Sequence, residues 1–158
     1  RGIGFDGVLN YYAGRNSVCD LDFEREFCDY VKWNPLFAKP YVVEADKKLV
    51  EKVGRTDMVR GNTISAVGFY GPQGREVRLA LAEPELNRRI EQFEYQGGKI
   101  TNYEMESAAL QGMAKLMGHR AMTICSIIAN RVATSANPNY KTAMNDLIGN
   151  VLDRLLGD

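Results

Sequence analysis

Residues 120–129 (RAMTICSIIA) place the tightest limit on what this chain can become. The run is apolar without alternating, and it is far shorter than the roughly 20 residues that a membrane helix needs. Such a run predicts a strand covered on both faces, and a strand of that kind requires helices packed above and below it. Just before it, residues 104–117 set Met105, Ala108, Ala109, Gly112, Met113 and Leu116 on one stripe, and Gly118 follows. That spacing predicts a helix with a buried face, ended by glycine. A buried helix leading into a buried strand is the unit of an α/β fold.

The rest of the chain extends the same alternation. Residues 8–13 (VLNYYA) read as a strand, residues 21–30 as a weakly periodic helix, and Asn34-Pro35 with Lys39-Pro40 as a loop around Trp33. Residues 43–53 predict an amphipathic helix on Ala45, Leu49, Val50 and Val53, with Gly54 as its cap. Residues 58–69 alternate as a strand does and run into a glycine-rich turn. Pro84, Leu86, Ile90 and Phe93 mark a helix to Tyr95, stopped by Gly97-Gly98, and residues 99–103 make a short strand. A last helix over residues 138–156 turns Ala143, Leu147, Ile148, Val151, Leu152 and Leu155 inward. With no repeat and no Pro- or Ser-rich linker, residues 1–158 are expected to form one α/β domain, a sandwich on a mixed or mostly parallel sheet. Ligands in such sheets sit at the carboxyl ends of strands, which directs attention to the loops after Val67, Tyr103 and Ala129.

Charge removes several functions. Twenty Lys and Arg balance twenty Asp and Glu, so no overall field attracts nucleic acid or anionic lipid, and neither is expected as a partner. Cys19, Cys28 and Cys125 share no CxxC spacing and have one histidine, His119, to join them, so no metal site is expected. His119 follows Gly118 at a helix end, where a cation complements the dipole. Cysteine usage, with no signal-peptide pattern, gives a cytoplasmic expectation. The chain opens on Arg1-Gly2-Ile3-Gly4 without methionine, which reads as the middle of a domain.

Three clusters can carry chemistry. In Phe69-Tyr70-Gly71-Pro72-Gln73-Gly74-Arg75, an aromatic face, an amide and a guanidinium share one turn. Gln73 supplies a donor and an acceptor and Arg75 a rigid fork of donors, a set suited to a planar heterocycle whose edge alternates carbonyl and N–H groups, such as uracil. The same residues also suit a polar surface turn. In Asn102-Tyr103-Glu104-Met105-Glu106-Ser107, two carboxylates stand at the start of a helix, where the dipole favours anions as caps. Glu106, beside Met105 on an apolar face, is placed to accept hydrogen bonds from a pair of ligand hydroxyls. The third cluster is Asn130-Arg131, directly after Ile127-Ile128-Ala129.

Taken in this order, the three clusters resemble the nucleoside phosphorylase superfamily, and within it the uridine phosphorylases, with similarity from Phe5-Asp6-Gly7 to the C-terminal helix. The Tyr103-Glu104-Met105-Glu106-Ser107 stretch is characteristic of the superfamily, and the Gln73-x-Arg75 pair is the more specific pyrimidine marker. The resemblance implies a three-layer α/β/α sandwich with a mixed sheet. It implies phosphorolysis of uridine to uracil and ribose 1-phosphate, with inorganic phosphate as co-substrate and no other cofactor. It assigns Arg75 and Glu106 to catalysis. Phe69, Gln73, Arg75, Tyr103, Glu104, Met105, Glu106, Ile128, Asn130 and Arg131 are assigned to substrate binding. Purine-preferring relatives carry an aspartate where this chain has Asn130, and an amide cannot serve as that general acid. The relatives hold phosphate with an N-terminal glycine loop and arginines that do not occur here before Phe5, so the chain is expected to represent the base- and ribose-binding part. Dimers assembled into hexamers are the implied form. A purine nucleoside phosphorylase, a hydrolytic nucleosidase and a non-catalytic nucleoside-binding module are the alternatives.

Overall fold

The computed structural model describes residues 1–130 and 135–157. Its main sheet has the order β2-β1-β3-β5-β4, formed by β1 (Gly2–Gly4), β2 (Tyr41–Val43), β3 (Asn62–Ser65), β4 (Glu94–Tyr95) and β5 (Gly98–Glu104). β1, β3 and β5 run parallel, and β2 and β4 pair antiparallel to their neighbours, so the sheet is mixed. In register, Gly4 faces Ser65 and Ser65 faces Glu104, which ends all three parallel strands along one edge. The loops leaving that edge include two of the three searched for from the sequence.

Alternation along the strands sorts the two faces. Ile3, Val42 and Ile64 join one buried cluster with α1 (Leu21–Val31) and α3 (Leu86–Gln92). Within it Phe23 stacks 4.4 Å from Tyr95 and Phe27 meets Phe93 edge-on at 5.2 Å. Each such ring fully removed from water contributes about 1.5–3 kcal/mol. Tyr41 and Val43 face the other way, toward Leu9 and Ala108 of α4 (Ser107–Leu116). α4 comes close because Gly2 lacks a side chain: a Cβ there would lie 3.0 Å from the Ala108 Cα. Helices on both faces of a mixed sheet make the three-layer α/β/α sandwich expected from the sequence. An ion pair fastens one corner: Arg15 Nη2 contacts both Glu24 oxygens, at 2.6 and 2.7 Å, and the buried Glu24 also accepts from the Val42 amide.

Several boundaries differ from the sequence expectation. Residues 8–13 are not a strand: Val8–Tyr11 wind into a 3-10 turn because Gly7 adopts φ 67 and the Asp6 carboxylate accepts from the Val8 amide at 2.8 Å. The amphipathic helix expected over residues 43–53 is shorter, α2 (Lys47–Val53), with Val43 ending β2; it begins where Asp46 caps the Leu49 amide at 2.9 Å. The strand over residues 58–69 contracts to β3. α3 ends at Gln92 because Phe93 turns extended and leads into β4. Glu104 belongs to β5, not to the helix that follows.

The largest correction falls on residues 120–129. Apart from Ala129–Asn130 (β6), which pairs with Ser135–Ala136 (β7) in a small hairpin, this run joins no ladder among the described residues. It is tied by single backbone bonds, Asp46 N–H to the Ala121 oxygen at 2.9 Å and Asn137 N–H to the Ile128 oxygen at 2.8 Å. Ile127 and Ile128 are exposed, as is much of the last helix, α5 (Tyr140–Leu156), which contains no buried residue. An apolar composition suits a doubly covered strand, but the cover and the ladder have to come from elsewhere in the fold. No helix among the described residues is long and apolar enough to cross a membrane.

Candidate functional site

At the carboxyl edge of β3 the chain leaves through Val67 and Gly68 into the turn around Gln73. Gly71–Gln73 form a single 3-10 turn closed by Gly74 at φ 72. Glycine is required there on two counts, since its backbone is left-handed and a Cβ would lie 1.7 Å from Asn87 Nδ2. Within the turn Arg75 Nη1 donates to the Phe69 carbonyl oxygen and to Gln73 Oε1, the latter at 2.8 Å. Gln73 is buried, whereas Phe69 and Tyr70 are exposed. The Arg75 guanidinium lies over the Phe69 ring, 3.6 Å from its centroid, a cation–π contact. One face of Phe69 is thus taken by Arg75, and the Tyr70 ring stands perpendicular to it with centroids 5.4 Å apart. The three side chains singled out in the sequence are brought together as one preorganised group.

β5 delivers the second cluster beside the first. The Ala66 amide donates to the Glu104 carbonyl oxygen at 2.9 Å, holding the two strand ends together. The Glu104 carboxylate accepts from the Glu106 and Ser107 amides, at 2.8 and 2.7 Å, and from the hydroxyls of Ser65 and Ser107. It is engaged by the backbone and hydroxyls at the start of α4, where the helix dipole favours an anion. Glu106 differs. Its carboxylate is exposed and makes no hydrogen bond or ion pair with the described residues, and neighbouring Met105 is also exposed. Of the two carboxylates, then, one builds the turn and the other is presented by it.

Tyr103 joins the clusters. Its hydroxyl donates to Asn87 Oδ1 at 2.8 Å, and Asn87 Nδ2 donates to the Gln73 carbonyl oxygen at 2.9 Å. Asn87 and Ser65 are the supporting residues that the sequence reading missed. The one signal for Asn87 was a polar side chain in the first turn of an otherwise amphipathic helix. Ser65, at the end of β3, receives the Ala108 amide at 2.8 Å and gave no signal before the strand ends were known to meet.

The third cluster is placed in part. Ile128 and Asn130 are exposed, the latter in the β6–β7 hairpin, and Arg131 lies outside the described residues. The Gln73–Arg75 turn and Glu106 leave the same sheet edge, yet Glu106 lines neither of the two large clefts, of about 770 and 910 Å³. Burial pushes the thiols of Cys19 and Cys28 up to about 11, and Cys125 rises for the same reason. Neutral thiols of this kind are poor nucleophiles at physiological pH.

The sequence profile of the Phosphorylase superfamily matches residues 5–154. Inactive uridine phosphorylase B of Schistosoma mansoni is 37% identical over 90 residues, which are 56% of this chain and 30% of that protein. Uridine phosphorylase A of the same organism is 36% identical over 88 residues, 54% of this chain and 29% of that one. The uridine phosphorylase of Thermococcus kodakarensis is 36% identical over 78 residues, 46% of this chain and 25% of that protein. The matched segments therefore span 25–30% of these relatives' lengths. Among solved structures, the Trypanosoma brucei nucleoside phosphorylase, whose crystal structure is described as showing uridine phosphorylase activity, superposes with a TM-score of 0.81 at 21% identity. That superposition covers 99% of this chain and 56% of the trypanosome chain.

Proposed function

This chain belongs to the Phosphorylase superfamily, and from that premise we propose that it binds a pyrimidine nucleoside and serves its phosphorolysis, uridine and inorganic phosphate giving uracil and ribose 1-phosphate. The observation that carries this reading is the Gln73–Arg75 pair, locked at 2.8 Å beside the exposed Phe69 ring in the turn after β3. In the proposed reaction a phosphate oxygen bonds to the ribose C1′ as the bond from C1′ to N1 breaks, and the electron pair of that bond passes into the uracil ring. The leaving base gains negative charge, so a guanidinium at its carbonyl edge stabilises the transition state more than the substrate. Gln73 reads the neighbouring donor and acceptor of the base. The unclaimed Glu106 carboxylate takes the ribose hydroxyls with Met105 beneath the sugar, and Asn130 and Arg131 complete the base side.

The test is uracil release from uridine by the purified protein, with and without phosphate. Release is expected only with phosphate, and Arg75→Ala is expected to lower kcat/KM by about 2–4 kcal/mol, roughly thirtyfold to a thousandfold. Release that ignores phosphate, or an Arg75→Ala protein with unchanged turnover, would overturn the proposal. The similarity to a relative named as inactive favours one second reading, nucleoside binding without turnover. Its signature is saturable uridine binding with no uracil formed in phosphate.

A further inference from the structure

A cleft of about 770 Å³ borders the Gly71–Gln73 turn and shares Arg75 with the proposed nucleoside site, while Phe69, Gln73 and Glu106 do not line it. Its floor is aromatic: Trp33 packs 4.6 Å from Phe5 and 5.7 Å from Phe37. Its outer wall is residues 77–84, a strap without regular structure that turns Leu79 and Leu81 to the cleft. This volume is that of a small-molecule site, and most of the surface is hydrocarbon.

The charges in the wall choose the ligand. Glu83 is the sole carboxylate lining the cleft, and it is already claimed by Asn34 at 3.1 Å and Arg89 at 3.1 Å, contacts that pin the strap to the body of the protein. Arg78, on the same wall, forms no hydrogen bond or ion pair with the described residues. Arg75, the other guanidinium in the lining, is held within its own turn by the Phe69 carbonyl and Gln73 Oε1, so the cleft offers an apolar floor and, in Arg78, a rim cation that the described residues do not engage. We infer that this cleft is a second ligand site, adjoining the nucleoside site at Arg75, for an aromatic monocarboxylate whose ring system lies against Trp33 and whose carboxylate pairs with Arg78. A neutral aromatic leaves the guanidinium unanswered, and a small anion without a ring leaves the floor wet.

Trp33 makes the proposal directly measurable, because it is the only tryptophan of the chain. Its indole N–H is buried without an acceptor among the described residues, so its single NMR resonance responds to any ring seated nearby. The experiment titrates naphthoate into the full chain and follows that resonance, with naphthalenemethanol as the neutral comparison. A saturable shift is expected, with the dissociation constant raised about fivefold in Arg78→Gln and for the neutral compound, the size of a solvent-exposed ion pair. Arg78 is exposed and holds nothing else in place, so the variant keeps its fold. Adding uridine should leave the naphthoate shift in place. Absence of a saturable shift would overturn the site. Equal affinity for the acid and the alcohol, or for wild type and Arg78→Gln, would reduce the cleft to a non-selective apolar surface. Displacement by uridine would make it part of the nucleoside site and end the claim to a second ligand, without touching the phosphorolysis reading.

Discussion

At the scale of single residues, the site depends on a backbone that only glycine accepts. Gly74 closes the turn that holds Gln73 and Arg75, and it does so at φ 72 with Asn87 directly against it. Alanine at this position meets two separate costs. The left-handed conformation costs about 1–2 kcal/mol for a residue with a Cβ, and the Asn87 amide has to leave the Gln73 carbonyl it now serves. Gly74→Ala is therefore expected to lower the melting temperature by roughly 4–8 °C, since about 1 kcal/mol corresponds to roughly 2–4 °C for a domain of this length. Truncating Asn87 first removes the obstacle but not the backbone strain. In an Asn87→Ala background the same substitution is expected to cost clearly less, a non-additivity of the kind seen between touching residues. Melting curves of the two single variants and the double variant check this. Strict additivity would mean that the two side chains do not contend for one space.

At the scale of elements, the junction of β5 and α4 divides its two carboxylates by task. Glu104 satisfies two amides and two hydroxyls at once. Glutamine there keeps one acceptor oxygen and turns an NH2 group toward donors, leaving buried donors unmatched at a cost of about 1–3 kcal/mol. Glu104→Gln is expected to lower the urea midpoint, whereas Glu106→Gln, at an exposed carboxylate, should leave it unchanged and raise the KM for uridine. A reversed pattern in urea melts and steady-state kinetics would exchange the two roles. These elements were also the ones most legible in the sequence. α1 was legible as a weakly periodic helix over residues 21–30, β5 as the short strand over residues 99–103, and α4 from the apolar stripe of Met105, Ala108, Gly112 and Leu116. The Phe69–Arg75 turn was legible because all its functional groups lie within one local stretch. Residues 8–13 and 120–129 misled for a shared reason. Apolar and β-branched composition reports how readily a segment would be buried, while strand identity is conferred by a neighbouring ladder that no local window contains. The supporting roles of Ser65 and Asn87 could not be assigned on the same ground, since their partners are distant in sequence and adjacent only once β3, β5 and α3 have docked.

At the scale of the whole molecule, burial is divided unevenly along the chain. The sheet, α1, α3 and the buried face of α4 hold most of the fully covered side chains, with Leu9, Pro40 and Val53 beside them, whereas residues 121–130 and 135–157 contribute none. The later part is attached at a few points, among them the Asp46 amide to the Ala121 oxygen at 2.9 Å and Arg154 Nη1 to the Val53 oxygen at 2.9 Å. Local opening costs little where few apolar groups are covered, so different segments of one native protein open with different free energies. Amides of β3 and β5, paired with each other within the main sheet, are expected to exchange with solvent only through global unfolding. Amides of α5 should exchange by local opening, at free energies well below the global value and with little dependence on denaturant. Arg154→Ala, which removes the tie to α2, should quicken exchange in α5 and leave β3 and β5 as they were. Native-state hydrogen exchange read by NMR or mass spectrometry separates these segments. If α5 proved as protected as β3, its helix would be covered by contacts other than those seen here. The division matters for function because the Gln73–Arg75 and Glu106 clusters stand on the well-buried part, while Asn130 stands on the hairpin of the looser one. A nucleoside that gathers all three would tie the loose part to the firm one, so uridine is expected to slow exchange in β6 and α5 more than in β5.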